Sequence, residues 1–111
     1  MATHWQDNVG HGTITTGTGT VTLGAPLDGF SAIKASADGK TIHYTIKLWD
    51  GSWETGYGTY THAGATLTRT LVDSSTGALL NLPGSGTEVY LDWTAQAVIS
   101  TQNALIEVDR I

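Results

Sequence analysis

Across residues 41–48 the apolar side chains Ile42, Tyr44, Ile46 and Leu48 alternate with Thr41, His43, Thr45 and Lys47. That two-residue period predicts a strand with one buried face. Asp50-Gly51 follows, between two Trp-bearing runs, and Asp-Gly between alternating segments predicts a hairpin with a type I′ turn and a positive φ at Gly51. Residues 53–61 form the return strand. His62-Ala63-Gly64 turns the chain again, and residues 65–72 come back with Leu67, Arg69 and Leu71 on one face and Thr66, Thr68 and Thr70 on the other. These three segments predict an antiparallel meander around which the remaining chain is organised.

The flanking segments carry weaker patterns. Residues 1–12 hold Trp5, His4 and His11 without a clear period and read as an N-terminal arm. Residues 13–24 read as a first strand whose apolar positions change parity, from Ile14 to Val21 and Leu23, with Gly17 and Gly19 allowing the bend such a switch requires. Residues 25–29 and 36–40 are turns, with a short second strand over 30–35 between them. Residues 73–77 turn once more, 78–82 are a short apolar run broken by Pro83-Gly84, and 87–93 alternate as the last strand. Residues 94–111 fit a strand, with Ala104, Ile106 and Val108 on one face, or a short helix, or a C-terminal arm that orders on a neighbour. Turn signals every eight to twelve residues then predict an all-β single domain: an antiparallel sandwich or barrel of about seven strands over residues 13–93.

Composition sharpens this picture. Threonine is the commonest residue, and 14 Gly against 2 Pro punctuate a chain of 111 residues; β-branched residues suit strands and disfavour helices. The five basic residues are scattered and outnumbered by ten acidic ones. Neutralising a phosphate backbone needs clustered Lys and Arg, so nucleic acid is not an expected partner, and an acidic surface also disfavours anionic membranes. Without cysteine there is no thiol nucleophile and no Cys-ligated zinc. The N-terminal residues lack a basic start followed by an apolar run, so a Sec signal is not expected, and no window reaches the ~20 apolar residues that span a bilayer.

Candidate chemistry is sparse. His4, His11, His43 and His62 lack the spacing of a zinc motif. Asp38-Gly39 has the start of a calcium loop without the further acids, and reads as a turn. Asp50 and Glu54 flank Trp53 and could be posed as the carboxylate pair of a glycosidase. The turn accounts for Asp50, however, and Glu54 reads as a solvated strand residue. Ser74-Ser75 has no His-Asp partner in the pattern. The expectation is a protein with no enzymatic activity, no cofactor and no metal. The aromatic set Trp49, Trp53, Tyr57 and Tyr60 has three readings: core filling, a stacking surface for sugar rings, or anchors against neighbouring subunits. Trp5 and the apolar tail residues Leu105, Ile106, Val108 and Ile111 are further candidate contacts.

The ordered segments TGTGTVTLGAPLDGF, YTI, WETGYGTYT, LTRTLVDSSTGALLNL and GTEVY resemble a β-module that recurs in tailed-bacteriophage virion proteins, both tail-fibre-like and capsid-decorating. The shared pattern covers roughly residues 12–91; 93–111 lie outside it. Family copies are commonly embedded in longer proteins. The resemblance implies a non-enzymatic structural component, most simply a small capsid decoration (cement) protein. Its partners would be major capsid or tail proteins, it would assemble as a homo-oligomer such as a trimer, and it would be located in the virion. A tail- or fibre-associated module that binds host-surface carbohydrate is the alternative it implies.

Overall fold

Strict alternation gives the longest pairing in the molecule. In the computed structural model, which describes residues 3, 4, 6 and 8–91, strands β4 (Thr41–Leu48) and β5 (Trp53–Thr61) pair antiparallel from Thr41↔Thr59 to Lys47↔Trp53. Ile42, Tyr44 and Ile46 are fully buried, while Lys47 points outward. The hairpin lies where Asp50-Gly51 predicts it, but the turn is not type I′. Gly51 N–H donates to Leu48 O at 3.0 Å and Leu48 N–H to Ser52 O at 2.9 Å, and only Gly51, at φ +91°, takes a positive φ. This is the three-residue loop in which the last residue forms a left-handed bulge. A Cβ at Gly51 meets no atom within 4 Å, so the cost of substitution is conformational alone. Gly51→Val is therefore expected to lose about 1–2 kcal/mol, measured by urea denaturation.

The main sheet runs β1-β9-β4-β5-β6-β3, with β7 branching from β5. Its other members are β1 (Gly10–Thr13), β3 (Val21–Thr22), β6 (Thr66–Leu67), β7 (Thr70–Ser74) and β9 (Thr87–Leu91); β2 (Thr16–Gly17) and β8 (Leu82–Pro83) form a separate short pair. The sheet then curls back on itself. Leu23 N–H donates to Ala65 O at 2.8 Å on one side, while Gly24 N–H donates to Gly12 O at 2.8 Å and Leu27 N–H to Gly10 O at 3.0 Å on the other. Residues 21–27 thus join the last strand of the path to the first. The result is a small barrel-like all-β fold, filled by Val21, Leu23, Ile42, Tyr44, Ile46, Tyr60, Leu67, Leu80, Leu82 and Val89.

Four expectations about the elements are corrected. Residues 13–24 are not one strand but the end of β1, the two-residue β2 and β3, with β1 and β3 neighbours across the closure and β2 on the excursion between them. That is why Ile14 is 84% exposed while Val21 and Leu23 are buried. The body begins before residue 13: Val9 and His11 are buried and β1 starts at Gly10, inside the stretch read as an arm. Residues 30–35 form no strand, only an isolated bridge from Ser31 to Val9, followed by a 3₁₀ turn over Ala35–Ala37. Similarly, 65–72 divide into β6 and β7, and the register of β7 against β5 shifts between Thr55 and Gly56. The proposed forms of residues 94–111 lie outside the described residues.

Candidate functional site

Glu54 faces inward on β5, in phase with Gly56, Gly58 and Tyr60, and is fully buried. Its carboxylate accepts four hydrogen bonds. Oε1 receives Arg69 Nη2 at 2.6 Å and Leu80 N–H at 2.8 Å; Oε2 receives Arg69 Nε at 3.1 Å and Tyr44 Oη at 2.7 Å. Arg69 in turn uses all five of its donors. Besides the two to Glu54, it donates to Gly17 O and Gly19 O at 3.2 Å each and to Leu80 O at 2.8 Å. One ion pair thus ties together β4, β5, the 17–19 bend and the 78–82 run. Glu54 is therefore not a solvated strand residue, contrary to its polarity: the register places it in the interior, where only a fully bonded carboxylate is tolerated.

The glycines in phase with Glu54 make room for this arrangement. A Cβ on Gly56 would strike Thr70 O and lie 2.6 Å from Tyr44 Oη, and one on Gly58 would strike Thr68 O. Residues 68–70 therefore lie directly on the bare backbone of β5, and Arg69 between them enters the interior. Burial, then the bond to Glu54, push the Tyr44 hydroxyl well above the usual tyrosine range, so it stays a proton donor. Ser74 Oγ donates to Ala78 O at 2.7 Å, and Ser75 Oγ accepts Trp53 N–H at 3.1 Å. Both serines fasten the end of β7 to its surroundings.

The acid pair posed for glycoside hydrolysis does not form. Asp50 is exposed in the hairpin loop, where Ser52 N–H donates to its Oδ1 at 2.9 Å and lowers its pKa, while Glu54 is enclosed by Arg69. Asp38 Oδ1 likewise accepts His62 N–H at 2.9 Å as a turn residue. The histidines are dispersed. His4 bonds Gln6, and His62 bonds the Tyr60 hydroxyl. His43, whose pKa burial lowers, packs beside Tyr57 with ring centroids 5.9 Å apart. His11 is buried at the barrel closure, with Nδ1 at 2.8 Å from Gly24 O and Nε2 accepting Ile33 N–H at 3.2 Å. Those partners fix the tautomer with the proton on Nδ1 and pin residues 24–33 to β1. Among the described residues no three His, Cys, Asp or Glu side chains come together as a metal site, and no helix is long and apolar enough to cross a membrane.

The aromatic candidates divide by face. Tyr60 is core, at 2% exposure. Trp53 and Tyr57 share the outer face of β5, half-buried and 39% exposed, and Trp49 projects from the hairpin loop at 76% exposure. Core filling therefore accounts for Tyr60 alone among the four. Sequence reasoning did not pick out Tyr90 and Phe30, which meet edge-on at 5.3 Å on the same outer side, with Lys47 Nζ 6.0 Å from the Tyr90 ring centroid. The outward parity of Tyr90 in β9 was the available signal for it. Trp5, Leu105, Ile106, Val108 and Ile111 lie outside the described residues.

Tyr90 Oη donates to Glu88 Oε1 at 2.6 Å, and that bond, with burial and the carboxylate charge, pushes the phenol up to about 12. Because the folded value exceeds the ordinary ~10, the contribution to stability is complete below pH ~10 and disappears as pH rises through about 12. Glu88→Gln is expected to bring Tyr90 ionisation to lower pH, followed by its Cζ chemical shift. An unchanged midpoint would mean that the carboxylate is not its partner.

No protein-family model, no curated protein and no solved structure matches this chain, so the reading of its function rests on the geometry above and on the motif order of the sequence.

Proposed function

We propose that the chain is a non-enzymatic structural component of a tailed-bacteriophage virion, a small capsid decoration protein that stabilises the particle through protein–protein contacts. One observation carries this reading. Among the residues that carry the resemblance, Glu54, Gly56, Gly58 and Tyr60 in the Trp-Glu segment and Leu67, Arg69, Ser74 and Ser75 in the Leu-Thr-Arg segment are bonded or packed within the body. A pattern made of interior bonds encodes a rigid scaffold rather than a reacting centre. Its working parts are then the outward side chains, and interface area between copies adds stability by mass action. A homo-oligomer, such as a trimer, on major capsid or tail proteins fits that mode of action.

A second reading, carbohydrate recognition at the host surface, is favoured by the shared outer face of Trp53 and Tyr57. Two measurements separate the readings. Mass spectrometry and antibody labelling of purified particles should find the chain in stoichiometric amounts on the head, and its absence from particles would reject the structural proposal. Tryptophan fluorescence against a glycan panel should show no saturable change; saturable quenching by a sugar would favour recognition instead.

A further inference from the structure

Asp-Gly occurs three times, at 28–29, 38–39 and 50–51, each time in a turn. In this pair the glycine amide can attack the preceding side-chain carboxyl with little hindrance, because glycine has no Cβ. The attack needs a Gly N–H without another partner and a carboxyl free to rotate towards it. The fold treats the three pairs differently on both counts.

Two of the pairs are held. Gly51 N–H donates to Leu48 O at 3.0 Å, and Asp50 Oδ1 accepts Ser52 N–H at 2.9 Å. Gly39 N–H donates to Tyr60 O at 2.7 Å, and Asp38 Oδ1 accepts His62 N–H at 2.9 Å. Asp28-Gly29 is free. Phe30 N–H closes its turn on Leu27 O at 2.9 Å, with Gly29 at φ +83°. Gly29 thus takes the third position of a type II turn, whose N–H plays no part in the turn bond. Among the described residues neither Gly29 N–H nor the Asp28 carboxylate has a partner, and both residues are exposed. A Cβ on Gly29 would meet no atom within 4 Å, so the space around the pair is open.

We propose that Asp28-Gly29 is a self-modification site, at which the chain converts to isoaspartate through a succinimide. Gly29 N bonds to Asp28 Cγ, the bond from Cγ to its hydroxyl breaks, and the hydroxyl leaves with the amide proton as water. A second water then adds to the Asp28 main-chain carbonyl carbon. Its hydroxyl stays on that carbon, the bond from the carbon to Gly29 N breaks, and its proton goes to the nitrogen. Gly29 remains on the former side-chain carboxyl, and the net change is an isomerisation that needs only water. The main chain gains one carbon inside the 27–30 turn, and that turn positions an outer-face contact. Phe30 seats over Gly10, where a Cβ would lie 2.9 Å from Phe30 Cδ2, and meets the Tyr90 ring at 5.3 Å. Gly29 O accepts Asn8 Nδ2 at 2.9 Å beside it. Lengthening the turn releases Phe30 from Tyr90, so the outer face alters as the molecule ages while the Glu54–Arg69 interior does not.

The test keeps the full-length chain in water labelled with heavy oxygen at neutral pH, folded in one arm and unfolded in guanidinium chloride in the other. Samples taken over time are digested in ordinary water for peptide mass spectrometry. Each passage through a succinimide inserts one heavy oxygen, and fragmentation tells isoaspartate from aspartate. In the folded arm position 28 is expected to label at least about tenfold faster than 38 or 50, each of which is protected by two hydrogen bonds. In the unfolded arm the three should label within about threefold of one another, because the turns are gone. Equal rates in the folded chain, or a lead for 38 or 50, would overturn the proposal. So would a tenfold lead for 28 that survives unfolding, which would place the cause in its sequence neighbours rather than in the turn. In the converted chain the proton NMR contact between the Phe30 and Tyr90 rings should be lost, and its persistence would overturn the link to the outer face.

Discussion

Arg69→Met is expected to destabilise the domain by about 3–5 kcal/mol, the range for removing one partner of a buried ion pair. The reason lies in what is left behind. Glu54, with no exposure to solvent, would keep only Tyr44 and Leu80 N–H as donors, and the carbonyls of Gly17, Gly19 and Leu80 would each lose one. Methionine keeps an unbranched stem, two atoms shorter than that of arginine, and has no donor, so the change reads chiefly the polar loss. For a domain of this size the melting temperature should fall by more than about 12 °C. Glu54→Leu combined with Arg69→Met should be less destabilising than the two single changes added together, because the partners no longer strand each other. A melting temperature for Arg69→Met within a few degrees of the parent would show that the pair does not hold the interior together.

Gly58→Ala is expected to cost about 3 kcal/mol, at the upper end of ordinary overpacking. Its Cβ would collide with a backbone atom, Thr68 O, which has little freedom to retreat. Thr68 N–H donates to Thr59 O at 3.2 Å, and Thr59 N–H donates to Thr68 Oγ1 at 2.8 Å, so moving Thr68 aside breaks two bonds on the exposed rim of β5. It would also shift Arg69, one residue on. Gly64→Ala, whose Cβ would meet Thr66 Cγ2 at an ordinary 3.6 Å, is the control and should change stability by well under 1 kcal/mol. Comparable denaturation midpoints for the two variants would mean that residues 68–70 do not lie against the glycines.

Residues 41–48 and 87–91 were legible because Ile, Leu, Val or Tyr recur at every second position, and 53–61 because the Asp-Gly turn returns the chain into them. The start of the body was not. Gly10, His11 and Gly12 offer no apolar side chain, and His11 occupies a core position through two hydrogen bonds rather than through hydrophobicity. The ion pair was hidden for a related reason: hydropathy assigns Glu and Arg to the surface. Parity pointed the other way. Arg69 keeps step with Leu67 and Leu71, and Glu54 keeps step with Tyr60 and two glycines, so an acid and a base on inward faces of neighbouring strands could have been paired from the sequence. The outer aromatics were legible in part. Trp53 and Tyr57 share a strand, whereas the meeting of Phe30 with Tyr90 depends on a loop that no periodicity describes.

Gly10 and Tyr90 are direct cross-strand partners in β1 and β9. The first and last of the described strands in chain order are thus neighbours, about 5 Å apart. Their seam joins positions 80 residues apart along the chain, so it can form only once the polypeptide has doubled back on itself, and the entropy of closing that large loop is met at this one seam.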